Sequence, residues 1–317
     1  MPRIVSVLFV SLLLAGAWPC PAWASPFTFT TFDVPNSVYT LPSGINDAGQ
    51  IVGYFVGDDF GPAHGFLLSE GTFTTIDVPG SISTLANGIN DAGQIVGTFY
   101  DGIRPRTQGF LLSEGTFTTI DVPDFLFTPF PSGINDAGQI VGYFDGDDFY
   151  PHGFLLSEET FTTIDPPGSV LTWANGINDA GQIVGAFFDG GHRGFLLSEG
   201  TFTIIDAPAS PYGINDAGQI VGLFWECRGR AACYHGFLLS EGTFTSIDVP
   251  DGIDGTIASG INDAGQIVGF FYAAGETHGF LAEPVAEPVP EPATLIVLGT
   301  GLVGLLGRGW QRQRRNR

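Results

Sequence analysis

The chain contains no lysine, and all eleven of its basic residues are arginines. Five of them fall in residues 308–317 and one is Arg3, so residues 25–290 hold five arginines against 32 acidic residues, a net charge of −27. Such a surface repels nucleic acid and anionic lipid, which removes both as partners of the central part. Neutral polysaccharide and divalent cations remain compatible. Cysteine is scarce as well. Beyond Cys20 there are only Cys227 and Cys233, too few for a zinc site; in an oxidising compartment they are expected to form a disulfide clamping one short loop. Long apolar runs are missing between the two ends. The chain is nevertheless no disordered polymer, because its 28 phenylalanines and 44% hydrophobic content suit a packed core.

The two ends carry the apolar runs. Residues 1–24 read as a signal peptide: Arg3 precedes an apolar stretch, and Ala22-Trp23-Ala24 offers small residues at the positions a signal peptidase inspects. Trp18-Pro19 before Cys20 argues against a lipid anchor there. At the other end Val289, Pro290, Glu291 and Pro292 lead into the apolar run 293–307, followed by Arg308, Arg312, Arg314, Arg315 and Arg317. This order resembles the PEP-CTERM sorting signal. The resemblance implies docking in the membrane through the C-terminal segment and processing near the motif by an exosortase-type enzyme, with release to or retention at the cell surface. Independently, fifteen residues fall short of the roughly 20 that span a bilayer, and arginines behind such a run stay on the cytoplasmic side. Residues 283–292, rich in proline and glutamate, read as an extended spacer.

Internal repetition dominates the rest. Gly-Ile-Asn-Asp-Ala-Gly-Gln-Ile-Val-Gly begins at Gly44, Gly88, Gly133, Gly176, Gly213 and Gly260, and a Gly-Phe-Leu element follows each copy. Thr-Phe-Thr-x-Ile-Asp-x-Pro begins at Thr72, Thr116, Thr160, Thr201 and Thr243, and a near-copy of it stands alone around Phe29. Each unit reads as four short strands joined by tight turns, and about 44 residues per unit suits a propeller blade. The last unit lacks a fourth strand while the chain begins with an unmatched one. The expected fold is therefore all-β: a six-bladed β-propeller of four-stranded blades over residues 25–282, closed by the N-terminal strand, with a signal peptide before it and a transmembrane sorting tail (293–307, then 308–317) after it. Closure removes the free sheet edges that invite aggregation. The His-Gly-Phe-Leu copies also resemble extracellular HAF-type repeats, which implies an extracellular repeat protein and supplies no catalytic residues.

In a four-stranded meander, turns one and three share one end. Here those turns are nearly uniform, and everything variable falls at the other end. That second end is the expected ligand face, with Asp58, Asp59, Tyr100, Arg104, Asp147, Asp148, Trp173 and Trp225 as its candidate residues. Aromatics beside hydrogen-bonding groups suit carbohydrate, and the paired carboxylates are compatible with calcium; no cofactor or metal site is assigned. The repeated aspartates (Asp47, Asp91, Asp136, Asp179, Asp216 and Asp263) are expected to be structural, accepting nearby backbone N–H groups rather than holding a metal. His64, His152, His235 and His278 are too dispersed to share one ion. The inner strands hold no Asp, Glu, His or Arg, which leaves paired carboxylates or a catalytic triad without a central home. The expectation is a non-enzymatic surface or matrix module for exopolysaccharide or another envelope partner; the alternative is a secreted glycan hydrolase or lyase acting through the variable loops.

Overall fold

The computed structural model of the chain describes residues 26–103, 106–121, 129–205, 209–226, 233–250, 252 and 255–285. The regular structure in these residues is all β. No helix among them is long and apolar enough to cross a membrane. The expected signal peptide, the sorting motif at 289–292, the apolar run and its arginines lie outside the described residues, as do Arg104 and Cys227.

Each repeat forms an antiparallel meander. In the first, the inner strand Ser37–Ile45 pairs with Ile51–Gly57, which pairs with His64–Ser69, which pairs with the outer strand Thr72–Ile76. The first turn is closed by a side chain. Asn46 Oδ1 accepts the Gln50 N–H at 2.9 Å, and Asn46 Nδ2 donates to Gln50 Oε1 at 2.9 Å. The third turn places Glu70 (φ 49°) and Gly71 (φ 74°) in left-handed conformations, the primed geometry whose twist matches that of its flanking strands.

Sheet topology corrects the expectation of six like blades. Four, not six, stand as separate four-stranded sheets; they begin at Ser83, Pro129, Leu171 and Ala209. The remaining eight strands form one continuous sheet. In it the N-terminal strand Phe27–Phe32 pairs with Glu276–Pro284, and a single parallel bridge, Tyr39 to Thr277, joins the strands of the last repeat to those of the first. The physical reason is local: Ser37–Ile45 is longer than the other inner strands, and Tyr39 in its added length meets Thr277 near the start of Glu276–Pro284.

The core sits between repeats rather than within them. Val52 of the first repeat packs with Ile76, Ala86, Ile95 and Phe110 of the first and second. The joint between last and first repeat is built alike, from Val268, Val34, Ile45, Ile51 and Phe66. Near the axis, the side-chain amide of each repeated asparagine donates to the carbonyl of the next, from Asn46 to Asn90 at 3.1 Å and finally from Asn262 back to Asn46 at 3.1 Å. A second ring runs beside it: the N–H of Asp47 donates to the Asp91 carboxylate at 2.8 Å, and that of Asp263 to Asp47 at 2.8 Å. The repeated aspartates thus accept backbone N–H groups, and the donors come from the neighbouring repeat.

Candidate functional site

The six inner strands enclose an axial space that narrows in steps. At the end bearing the Asn-Asp turns it measures about 80 Å³. One layer further in it measures about 70 Å³, bounded by the glycines at 44, 88, 133, 176, 213 and 260. These glycines meet backbone to backbone: a Cβ on Gly88 would stand 2.9 Å from the Ser132 carbonyl oxygen and 3.1 Å from the Gly133 Cα. At five of the six positions, all but Gly44, a Cβ would stand within 3.2 Å of a neighbouring atom, so the glycine ring is an iris with little room for side chains.

Toward the variable loops the space opens into a funnel of about 560 Å³. Its floor is set by the residue before each iris glycine: Ser43, Asn87, Ser132, Asn175, Tyr212 and Ser259. Its wall carries Tyr54, Phe130, Tyr143 and Phe270, with Phe130 and Tyr143 stacked at 4.8 Å and 8°. No charged side chain lines it among the described residues. The floor asparagines are fixed in place, Asn87 Nδ2 donating to the Pro131 carbonyl and Asn175 Nδ2 to that of Pro211, both at 2.7 Å. Burial pushes the Tyr212 phenol up to about 12, and the nearby Tyr272 adds to the shift. Burial raises Tyr54 too, again with Tyr272, and raises Tyr143 with the Asp145 charge. These hydroxyls stay neutral and able both to donate and to accept.

Aromatic rings also meet across two repeats outside the funnel lining. Trp173 and Trp225, from neighbouring repeats, come together through His192, whose ring stacks on Trp173 at 6.2 Å and 12° and meets Trp225 edge-on at 4.9 Å and 73°. Burial holds the His192 pKa below its ordinary value. Two loops of identical sequence, Gly57-Asp58-Asp59-Phe60 and Gly146-Asp147-Asp148-Phe149, each turn through a left-handed phenylalanine, at φ 54° and 66°. Those rings are 66% and 74% exposed, an arrangement that stores strain to display an apolar group. Tyr100 is 37% exposed on the second repeat.

The acidic candidates separate into different roles. The Asp59 and Asp148 carboxylates cap their own loops, accepting the N–H groups of Gly61 at 3.0 Å and Tyr150 at 3.1 Å. Asp148 also reaches His152 Nε2 at 3.2 Å. No group of three or more His, Cys, Asp or Glu side chains is placed to hold a metal among the described residues. The repeat histidines pair instead with the aspartate thirteen residues on: His64 with Asp77 at 3.0 Å, His152 with Asp165 at 2.8 Å, and His235 with Asp248 at 2.8 Å. His278 pairs with Asp33 of the N-terminal segment at 2.9 Å. Sequence reasoning missed this clamp, although its constant spacing was there to be read. It also missed the funnel floor, where the only signal is variation in the residue just before an invariant Gly-Ile-Asn.

TolB from Acinetobacter baumannii superposes with a TM-score of 0.52 at 11% identity, covering 74% of this chain and 63% of TolB. A Hadza microbial sialidase gives 0.51 at 12% identity, over 79% and 66% of the two chains. A lectin of Aleuria aurantia, solved in complex with Fucα1-6GlcNAc, gives 0.47 at 14% identity, over 80% and 99%. The likeness to TolB and to the sialidase shows the all-β propeller fold and nothing further. No curated protein matches the chain in sequence. Residues 288–315 match the PEP-CTERM protein-sorting motif, which marks an exported protein with a membrane-anchored C-terminal tail, sorted by an exosortase-type enzyme.

Proposed function

We propose that this exported protein is a binding module of the cell surface or extracellular matrix, not an enzyme, and that its variable face engages a neutral exopolysaccharide. The observation that carries the reading is the Trp173–His192–Trp225 cluster. Flat, rigid rings, beside a funnel that no charged side chain lines among the described residues, offer stacking surface to the apolar faces of sugar rings at little cost in side-chain entropy. The charge of residues 25–290 disfavours acidic polymers. The resemblance of the repeats to extracellular HAF-type units supports the same placement. The non-enzymatic reading rests on the funnel lining, which among the described residues offers no carboxylate or imidazole to donate or abstract a proton.

A glycan array probed with residues 25–285 tests this. Binding to neutral glycans is expected, weakened about tenfold by Trp225→Ala, equivalent to about 1.4 kcal/mol. Failure to bind any neutral glycan, or release of reducing ends from a bound one, overturns the reading.

A further inference from the structure

The axial funnel is a cup, and its form constrains how a glycan can be held. At about 560 Å³ it lies inside the range of roughly 300–1,000 Å³ typical of small-molecule sites. Below it the glycine iris leaves about 70 Å³, room for a few waters but not for a sugar ring. The iris cannot widen easily, because its walls are backbone in contact with backbone: Gly213 and Gly260 each have the next glycine's Cα at 3.1 Å from where a Cβ would stand. The two hydrogen-bonded rings of asparagines and aspartates hold the same six strands together just beyond it. A polymer therefore cannot thread the axis.

What the cup presents is chemically specific. Its floor combines hydroxyls (Ser43, Ser132, Ser259 and Tyr212) with two anchored amides, and its wall adds Tyr54, Tyr143, Phe130 and Phe270. Tyr54, Tyr143 and Tyr212 make no hydrogen bond with any described residue, so each is free to serve a ligand. Many convergent neutral donors and acceptors, with aromatic rings beside them and no charge among the described residues, match a ring bearing several hydroxyls. They match neither a carboxylate, a phosphate nor an ammonium group, each of which would lose its hydration there without gaining a counter-charge.

We infer that the funnel binds the terminal residue of a neutral polysaccharide end-on, its floor hydroxyls reading the last sugar while the Trp173–Trp225 cluster stacks on the next. Trp173 occupies, in the fourth repeat, the strand position that the lining residues Leu41, Leu85, Phe130 and Ile257 hold elsewhere, which puts it in register with the wall. The inference rests on the glycan-binding reading above and deepens it: the protein recognises chain ends rather than chain interiors.

Calorimetric titration of residues 25–285 with maltohexaose, cellohexaose and mannohexaose, and with their parent polymers, separates the two ideas. End-on binding predicts one site per chain end, with the same molar affinity for a hexamer and for its polymer. Tyr212→Phe, which deletes one hydroxyl, is expected to weaken binding about three- to tenfold with an unchanged melting temperature. Ser132→Phe, which fills the floor, is expected to weaken it at least a hundredfold. Binding that tightens with chain length on a molar basis and ignores both substitutions overturns the end-on inference while leaving the glycan-binding reading intact. Absence of binding to all six probes, when the array shows none either, removes the glycan-binding reading and the inference with it. Should Ser132→Phe fail to fold, Tyr212→Phe and the length comparison decide alone.

Discussion

The backbone N–H of Asp263 donates to the carboxylate of Asp47 at 2.8 Å, joining positions 216 residues apart in the chain. With the amide of Asn262 on the Asn46 carbonyl, it completes two rings that pass through all six repeats. The chain crosses this joint too, because Phe27–Phe32 pairs with the last repeat and runs on into Ser37–Ile45 of the first. Asp47→Ala leaves an exposed N–H to water and is expected to cost about 1 kcal/mol. Asn46 is buried and bonds both Gln50 and the Asn90 carbonyl, so Asn46→Ala is expected to cost about 2–3 kcal/mol. Urea denaturation of both variants checks the order; equal costs would mean the amide ring adds nothing beyond the carboxylate ring.

The iris makes a sharper demand. Gly88→Ala places a methyl 2.9 Å from the Ser132 oxygen, and relief requires moving backbone on both sides. A loss of about 1–3 kcal/mol is expected, as for other overpacked sites. Gly191→Ala has open space around the new methyl and is expected to change stability by less than about 0.5 kcal/mol. Matched thermal melts of the two variants decide whether the close approach is real.

Glu159 stands where four other repeats carry glycine in the third turn, and its φ is 65°. A side chain in that region costs roughly 1–2 kcal/mol relative to a residue without Cβ. Glu159→Gly is expected to stabilise the protein by about 1 kcal/mol, partly offset by the added freedom of the unfolded chain. A lower melting temperature would show that the carboxylate makes a compensating contact.

Much of this fold was legible because the sequence says the same thing six times. Repetition exposes turn positions that a single copy would hide, and the unmatched strand at the N-terminus points to the one repeat that lacks a fourth. The fusion of two repeats into one sheet was not legible. It hangs on one bridge between Tyr39 and Thr277, and no periodicity encodes a single contact. That the Asp47 carboxylate serves a neighbouring repeat was not legible for a related reason: a turn aspartate ordinarily serves its own loop, but here Asn46 closes the turn and leaves the carboxylate for the N–H of Asp263. The funnel went unseen because strand patterning tells inside from outside of a sheet, whereas a floor built from single residues of six separate strands exists only once the ring is closed.

His152 and His192 should titrate in opposite directions. Burial alone would lower His152, but hydrogen bonds and charge from Asp165 and then Asp148 outweigh it and hold its pKa above the ordinary 6.5. His192 has rings around it and burial alone acting, so its pKa falls below 6.5. For His152 the folded state binds its proton more tightly than the unfolded chain does. Its contribution to stability is complete below pH 6.5 and is lost as pH rises through the elevated pKa. For His192 the sign reverses: below pH 6.5 the unfolded chain takes up a proton that the folded state resists, so stability falls with pH until the lowered pKa is passed. Proton NMR titration of the imidazoles is expected to give separate midpoints on either side of 6.5. Asp165→Asn is expected to bring the His152 midpoint down, because burial then opposes a weaker counter-charge. Sugar binding at the Trp173–Trp225 cluster is expected to weaken only as pH falls through the His192 midpoint, when an imidazolium replaces the neutral ring between Trp173 and Trp225. Coincident midpoints, or a binding curve that follows His152 instead, would detach the cluster from recognition.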